Sequence, residues 1–177
     1  SDFSFERVLR EHYNPIILGI RQLEKPVVCA VNGIAAGAGA NIALACDVVV
    51  AADTASFLQA FSNIGLIPDS GGTYTLPRLI GFQKALALSL LAEKVSAEEA
   101  ERMGMIYKVF PAESFAESAW KLATQLAKMP TKGLGCIKQA FNQSLTNSLE
   151  EQLAVEKKLQ TIAGATEDYQ EGVQAFL

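Results

Sequence analysis

Polar and apolar positions change period twice along this chain. Phe5, Val8, Leu9, Ile16, Ile17 and Ile20 recur at helical spacing almost from the first residue, which predicts one or two amphipathic helices at the start. Pro15 has no backbone N–H to donate and should kink or divide that segment, and Pro26 helps to end it. Residues 26–32, Pro-Val-Val-Cys-Ala-Val-Asn, are apolar and β-branched without alternation, the pattern of a short strand covered on both faces. Asp47-Val-Val-Val-Ala-Ala is a second such run. Between them, the segment from Gly33 to Cys46 begins as a turn of small residues and becomes compatible with a helix. The first part therefore reads strand, glycine turn, helix, strand.

From Thr73 the helical period returns, with Leu79, Leu86, Leu90 and Leu91 as apolar positions on successive turns. Ser96-Ala-Glu-Glu has the form of a capping box opening another short helix, which Gly104 should close. Ile106-Tyr-Lys-Val-Phe suits a short strand. The stretch from Pro111 to Leu177 holds three or four helical segments punctuated by Pro130, Gly133, Gly135 and Gly164. No Gly-, Ser- or Pro-rich linker and no repeat interrupts the chain. An α/β core over residues 1–110 followed by a helical region over 111–177 is predicted.

Composition narrows the class. With 177 residues, 50% hydrophobic and 19% charged, the chain can bury a sizeable core. A net charge of −4 with scattered lysines and arginines excludes an electrostatic case for nucleic acid, so an anionic ligand has to be held locally. Cys29, Cys46 and Cys136 are odd in number, far apart and set in apolar stretches, which favours buried thiols in a reducing compartment over disulfides or a metal site. Apolar runs are broken before the roughly 20 residues that a membrane span needs, and no signal peptide opens the chain, so a cytoplasmic protein is expected. Ser1 in place of a methionine, just ahead of a helical pattern, suggests entry into the middle of a fold.

Candidate chemistry begins at the glycine turn. Gly37-Ala-Gly-Ala lies in a strand–turn–helix setting, but the third glycine of a dinucleotide fingerprint would fall at Ile42, and no acidic residue lies about 20 positions on. A phosphate loop fails because no Gly-Lys-Ser/Thr ends the segment. Small residues at 35–40 still let a ligand approach the backbone closely, and a helix starting nearby would aim free N–H groups at an oxyanion. The same segment equally suits a tight strand–helix packing joint.

The run Ala30-Val-Asn-Gly-Ile-Ala-Ala-Gly-Ala-Gly-Ala-Asn-Ile-Ala-Leu-Ala-Cys-Asp, then Phe57, then Gly65-Leu-Ile-Pro-Asp-Ser-Gly-Gly-Thr, resembles the paired signature of the crotonase (enoyl-CoA hydratase/isomerase) superfamily. The likeness continues through Leu91 and Ser96-Ala-Glu-Glu-Ala to Glu171-Gly-Val-Gln-Ala-Phe. It implies a crotonase-like ββα superhelix core with a carboxyl-terminal helical trimerisation region, and assembly as a homotrimer or dimer of trimers, even within a heteromeric complex. It also implies an acyl-CoA substrate, with coenzyme A as part of the substrate and no separate cofactor or metal. In that family two backbone N–H groups hold the thioester oxygen. The second maps onto Ala38, between Gly37 and Gly39. The first has no counterpart, since it belongs with early strands to a segment that family members carry before Ser1; coenzyme-facing basic residues expected beyond Phe176 are missing too. The chain is therefore expected to be truncated at both ends.

The resemblance also bears on the reaction. Family hydratases use two glutamates to orient and split water, and those positions map onto Asn41 and Phe61, neither of which moves a proton at neutral pH. Asp69 falls where family isomerases carry their single carboxylate, with Asn41, Phe61 and Leu66 lining the pocket. The implied reaction is a proton shift by Asp69 on a thioester polarised at Ala38, on a substrate of ring-epoxide or Δ3-enoyl type, with an enoyl-CoA hydratase or a non-catalytic acyl-CoA-binding homologue as the alternatives; His12-Tyr-Asn-Pro and Ala60-Phe-Ser carry the likeness to the ring-epoxide branch. Read locally, Asp69 could instead be a helix N-cap. His12 has no nucleophile motif beside it, Trp120 reads as a packing residue on a helix face, and Lys128, Lys132 and Lys138 read as solvated surface lysines.

Overall fold

The computed structural model describes residues 4–176, so Ser1 and Leu177, the outer limits of the two expected regions, lie outside the described residues. The chain divides into two compact units, Ser1–Arg21 with Val27–Lys121 and Gln22–Pro26 with Leu122–Leu177.

The first unit opens with helix α1 (Phe5–Val8), where the Ser4 hydroxyl accepts the Arg7 N–H at 3.3 Å. A π turn over Leu9–Tyr13 leads directly into α2 (Asn14–Gln22). The Asn14 N–H reaches the Leu9 carbonyl, five residues back. Pro15 has no N–H to offer the carbonyl one turn back, and the widened turn just before it is the form the expected division takes.

Two three-stranded sheets follow. β1 (Val28–Val31), β3 (Val48–Ala52) and β6 (Lys108–Phe110) form one, all parallel with β3 central. β2 (Ile34–Ala36), β4 (Ser56–Leu58) and β5 (Lys94–Ser96) form the other, β2 parallel and β5 antiparallel to β4. Each winding of the chain gives one strand to each sheet and then a helix: β1, β2 and α3 (Ala38–Leu44), then β3, β4 and α4 (Gly72–Ile80). That is the expected ββα superhelix. β1 and β3 match the two apolar runs, and the central strand explains the second, because Val49, Val50, Ala51 and Ala52 are all buried. The three-residue strands β2, β4 and β5 were not predicted, since three residues are too few to show a period.

Helix α5 (Phe82–Leu91) buries Ala85, and α4 buries Gly72 and Leu76. The stripe of Leu79, Leu86, Leu90 and Leu91 is instead exposed, because Gly72, Leu76 and Ala85 are the residues that these helices turn to the core. Helix α6 (Ala97–Arg102) starts where expected, the Ser96 hydroxyl accepting the Glu99 N–H, and Gly104 at φ +80° closes it with an N–H bond to the Glu101 carbonyl. Trp120, on helix α7 (Phe115–Ala127), is 76% exposed and does not pack as predicted: Phe115 and Ala119 occupy the buried face, and Trp120 lies one position around from it.

The second unit contains α8 (Thr131–Ser144), α9 (Leu149–Gly164) and α10 (Glu167–Phe176). Gly133 and Gly135 do not punctuate this region but sit inside α8. A Cβ at Gly135 would stand 2.5 Å from the Glu24 carbonyl oxygen, so glycine is present to let the 22–26 segment lie against the helix. Lys138 is likewise no surface lysine: it is 7% exposed and donates to the Lys25 carbonyl at 3.2 Å, and Lys132 pairs with Glu24 at 3.1 Å. Short-range polar contacts thus explain why five residues from early in the chain belong to the helical unit.

Helix α9 opens with a full capping box, the Ser148 hydroxyl accepting the Glu151 N–H and the Glu151 carboxylate accepting the Ser148 N–H at 2.7 Å. Ser148→Ala should cost about 1 kcal/mol in denaturant unfolding of the intact protein, and a change below a few tenths would contradict the cap. The backbone N–H of Ser148, with its hydroxyl second, holds the Glu151 carboxyl below the usual glutamate range. Glu151's contribution is therefore complete above the ordinary glutamate range and lost as pH falls through the lowered native value.

Candidate active site

Every proposed site residue belongs to the first unit. β2 ends at Ala36, and Gly37 turns the chain at φ +54° while its N–H bonds the Leu58 carbonyl of β4 at 2.8 Å. A side chain is disfavoured there by the left-handed backbone, and a Cβ would meet the Phe61 ring at 3.7 Å. Ala38 is then the first residue of α3, and its N–H makes no hydrogen bond among the described residues. Ala36 and Gly39 are exposed, so the backbone at this helix start is open to a ligand. The Ala38 N–H is thus a donor left without a partner among the described residues, as gripping an oxyanion would require.

One turn further along α3, Asn41 is 1% exposed. Its Nδ2 donates to the Asp69 carbonyl at 2.8 Å, and its Oδ1 accepts from Gln59 Nε2 at 2.8 Å. The orientation is fixed by the first bond, because a carbonyl can only accept; Asn41 must present its NH2 there and its oxygen to Gln59. Both ends of the amide are thus engaged with protein, and Asn41 ties α3 to the segment that carries Asp69. Gln59 is buried, with its own Oε1 lacking a partner among the described residues.

Asp69 lies half-buried in a sharp turn before α4. Ser70 and Gly71 adopt φ +50° and +77°, and the Gly72 N–H returns to the Asp69 carbonyl at 2.8 Å. Ser70 donates its hydroxyl to Asp69 Oδ1 at 2.9 Å. Gly71 occupies the N-cap position of α4 with no side-chain cap bond, which removes the helix-cap reading of Asp69. The carboxylate takes part in no ion pair among the described residues.

Phe61 and Leu66 complete the surroundings. Phe61 is buried in a 3-10 turn over Ala60–Ile64, its ring beside Gly37, and its carbonyl accepts the Leu66 N–H at 3.0 Å. A mostly apolar cavity of about 400 Å³ opens between this turn, α4 and α5, with Leu66, Pro68, Gly72, Leu76, Leu86 and Leu90 in its wall. Pro68 and Gly72 bracket the Asp69 turn in sequence. A larger cavity of about 570 Å³ lies between α8 and α9 in the second unit, and none of the site residues line it.

Residues outside the site sort simply. His12 is exposed on the π turn. Among the described residues there is no His/Cys/Asp/Glu cluster able to bind a metal and no helix long and apolar enough to cross a membrane. None of the three cysteines forms a disulfide; Cys136 is buried and the other two are half-buried. A hydrogen bond from Cys46 lowers the Cys29 thiol and outweighs its burial. Ser70 and Gln59 were not singled out in the sequence. The Ser-Gly-Gly after Asp69 was a usable signal for a left-handed turn, whereas nothing local marks Gln59.

Comparison with known proteins fits this geometry. A family model for enoyl-CoA hydratase/isomerase matches residues 2–177. The 1,2-epoxyphenylacetyl-CoA isomerase of Escherichia coli K12 is 53% identical over 93% of this chain and 63% of its own length. A Rhodobacter capsulatus protein named "Probable enoyl-CoA hydratase" is 50% identical over 98% of the chain and 68% of its own length. The crystal structure of an enoyl-CoA hydratase from Bacillus anthracis superposes with a TM-score of 0.90 at 34% identity, covering 99% of this chain and 69% of the other. The chain thus spans under two thirds of the length of the Escherichia coli relative.

Proposed function

We propose, because the chain belongs to the enoyl-CoA hydratase/isomerase family, that the protein is an acyl-CoA isomerase in which Asp69 moves a proton along a thioester polarised at Ala38. The carrying observation is the state of the two positions where family hydratases keep glutamates. Asn41 is buried with both amide ends engaged, and Phe61 is a buried hydrocarbon ring. Neither can split water. Asp69, by contrast, is a carboxylate used among the described residues neither as a helix cap nor in an ion pair.

In this mechanism the Ala38 N–H and a second donor grip the thioester oxygen, each such donor contributing about 3 kcal/mol to stabilising the enolate. Asp69 takes a proton from the carbon next to the carbonyl, and the electron pair moves into the thioester. The same carboxyl then returns the proton two carbons further on, which leaves the double bond conjugated. One carboxylate suffices because the two carbons are visited in turn. Coenzyme A belongs to the substrate, and the chemistry calls on no separate cofactor. Gly37 and Gly39 keep the backbone approachable, while Phe61 and Leu66 keep water from the reacting carbons.

A Δ3-enoyl substrate and a ring epoxide of phenylacetyl-CoA are the acyl groups we propose, the second on the strength of the Escherichia coli relative. The apolar side chains that the second unit leaves exposed, Phe141 and Leu149 among them, support association with further copies of the chain, which we propose to be trimeric. A panel of three thioesters separates isomerase from hydratase. Δ3-enoyl-CoA should give a rise in conjugated-thioester absorbance, the epoxide should be consumed, and α,β-enoyl-CoA should not gain water. Hydration of the third at a rate matching the first two would overturn the assignment.

A further inference from the structure

Ser70 occupies a position where glycine would be the easier residue. Its φ of +50° lies in the left-handed region, and Gly71 beside it takes the same conformation without a side chain. Left-handed backbone is costly for an L-residue with a Cβ, and such costs persist where the surroundings hold them in place. Ser70 is also 3% exposed, so its hydroxyl is not there to meet water. That hydroxyl has one described use, donation to Asp69 Oδ1 at 2.9 Å. The backbone beneath is held independently, since the Asp69 carbonyl accepts from both Asn41 Nδ2 and the Gly72 N–H at 2.8 Å. The main chain of the turn therefore does not need the serine side chain, but the carboxylate does.

We infer that Ser70 is a positioning residue for the Asp69 carboxylate, its strained backbone being retained because only from that conformation does the hydroxyl reach Oδ1. This rests on the reading of Asp69 as the proton carrier. Fixing one carboxylate oxygen leaves the other as the oxygen that meets substrate, and it removes a rotational freedom that would otherwise be lost in each turnover. The inference sets stability and activity against each other at one residue. A side chain kept for packing would lose both on removal. A side chain kept for positioning, in a backbone that suits glycine better, should lose only activity.

The test uses the full-length gene product with Ser70→Gly, Ser70→Ala and Asp69→Asn, read by kcat, KM and melting temperature on a Δ3-enoyl-CoA. Ser70→Gly should lower kcat by roughly ten- to a hundred-fold, the range typical of a lost hydrogen bond to a charged group, with KM within about threefold. Its melting temperature should be unchanged or higher. Ser70→Ala should show the same loss of kcat without the gain in melting temperature, because the Cβ stays. If Ser70→Gly keeps kcat within twofold while Asp69→Asn is inactive, the inference fails and the role of Asp69 stands. Should Ser70→Gly melt several degrees lower in step with its loss of rate, the serine is a packing residue and the inference is equally overturned. Retained activity in Asp69→Asn removes the base, and the inference about Ser70 falls with it.

Discussion

Asp69→Asn should lower the rate of double-bond migration at least a hundred-fold while leaving substrate binding within a few-fold, a loss of about 3 kcal/mol in transition-state stabilisation. The change is close to isosteric. Asn41 Nδ2 and the Gly72 N–H both bond the main-chain carbonyl of residue 69, and the substitution does not touch it. The Ser70 hydroxyl can still donate to the amide oxygen. What is lost is the ability to take a proton, so kcat should fall with little change in KM or melting temperature. Calorimetric titration with a non-reacting acyl-CoA would report binding, and absorbance of the conjugated thioester would report turnover. Activity within tenfold of the parent would show that another group carries the proton.

How much of this was legible in the sequence depended on the length scale of each feature. β1 and β3 could be read because their apolar runs extend over several residues; burial on both faces holds for the central β3, whereas β1 is an edge strand with Ala30 exposed and only Val31 buried, against the expectation of cover on both faces. The glycine turn at residues 37–39 was legible for a different reason. Small residues in a row mark a place where the chain turns tightly, and Gly37 at φ +54°, followed by an Ala38 N–H that makes no hydrogen bond among the described residues, is such a turn. Pairings between distant residues left no such trace. Nothing near Gln59 says that its amide meets Asn41, 18 residues earlier in the chain, or that Asn41 reaches Asp69, 28 residues later. The buried lysine shows the same limit, since Lys138 looks like any other lysine until the fold brings the Lys25 carbonyl to it.

Exposure errors have a related cause. The leucines of α4 and α5 are spaced as a core stripe would be, yet Leu76 and Ala85 are the apolar side chains that become buried there. Periodicity reports that a helix has an apolar face; it does not report what that face meets. Leu86 and Leu90 line the cavity that starts beside the Asp69 turn. In the proposed isomerase that wall is suited to an apolar acyl group, and the leucines left exposed acquire a use that core packing would not give them.

The clamp between α3 and the Asp69 turn depends on a missing side chain, and this yields a large expected stability effect. A Cβ at Gly72 would stand 2.3 Å from Asn41 Nδ2 and 2.6 Å from its Cγ. Gly72 does not occupy the left-handed region, so alanine would suffer no backbone strain and the whole cost is steric. Asn41 cannot move aside cheaply, because its amide is buried and bonded at both ends; displacing it leaves Gln59 Nε2 and one acceptor position of the Asp69 carbonyl unfilled. Overpacking and lost buried hydrogen bonds together put Gly72→Ala at roughly 3–5 kcal/mol destabilising. The same substitution at Gly19, in the middle of α2 with nothing within 4 Å, should instead stabilise by about 0.5–1 kcal/mol. Denaturant unfolding of both variants beside the parent checks the pair. A Gly72→Ala protein that unfolds within 1 kcal/mol of the parent would mean that Asn41 yields freely, and an amide that yields freely could not be holding Asp69 in place.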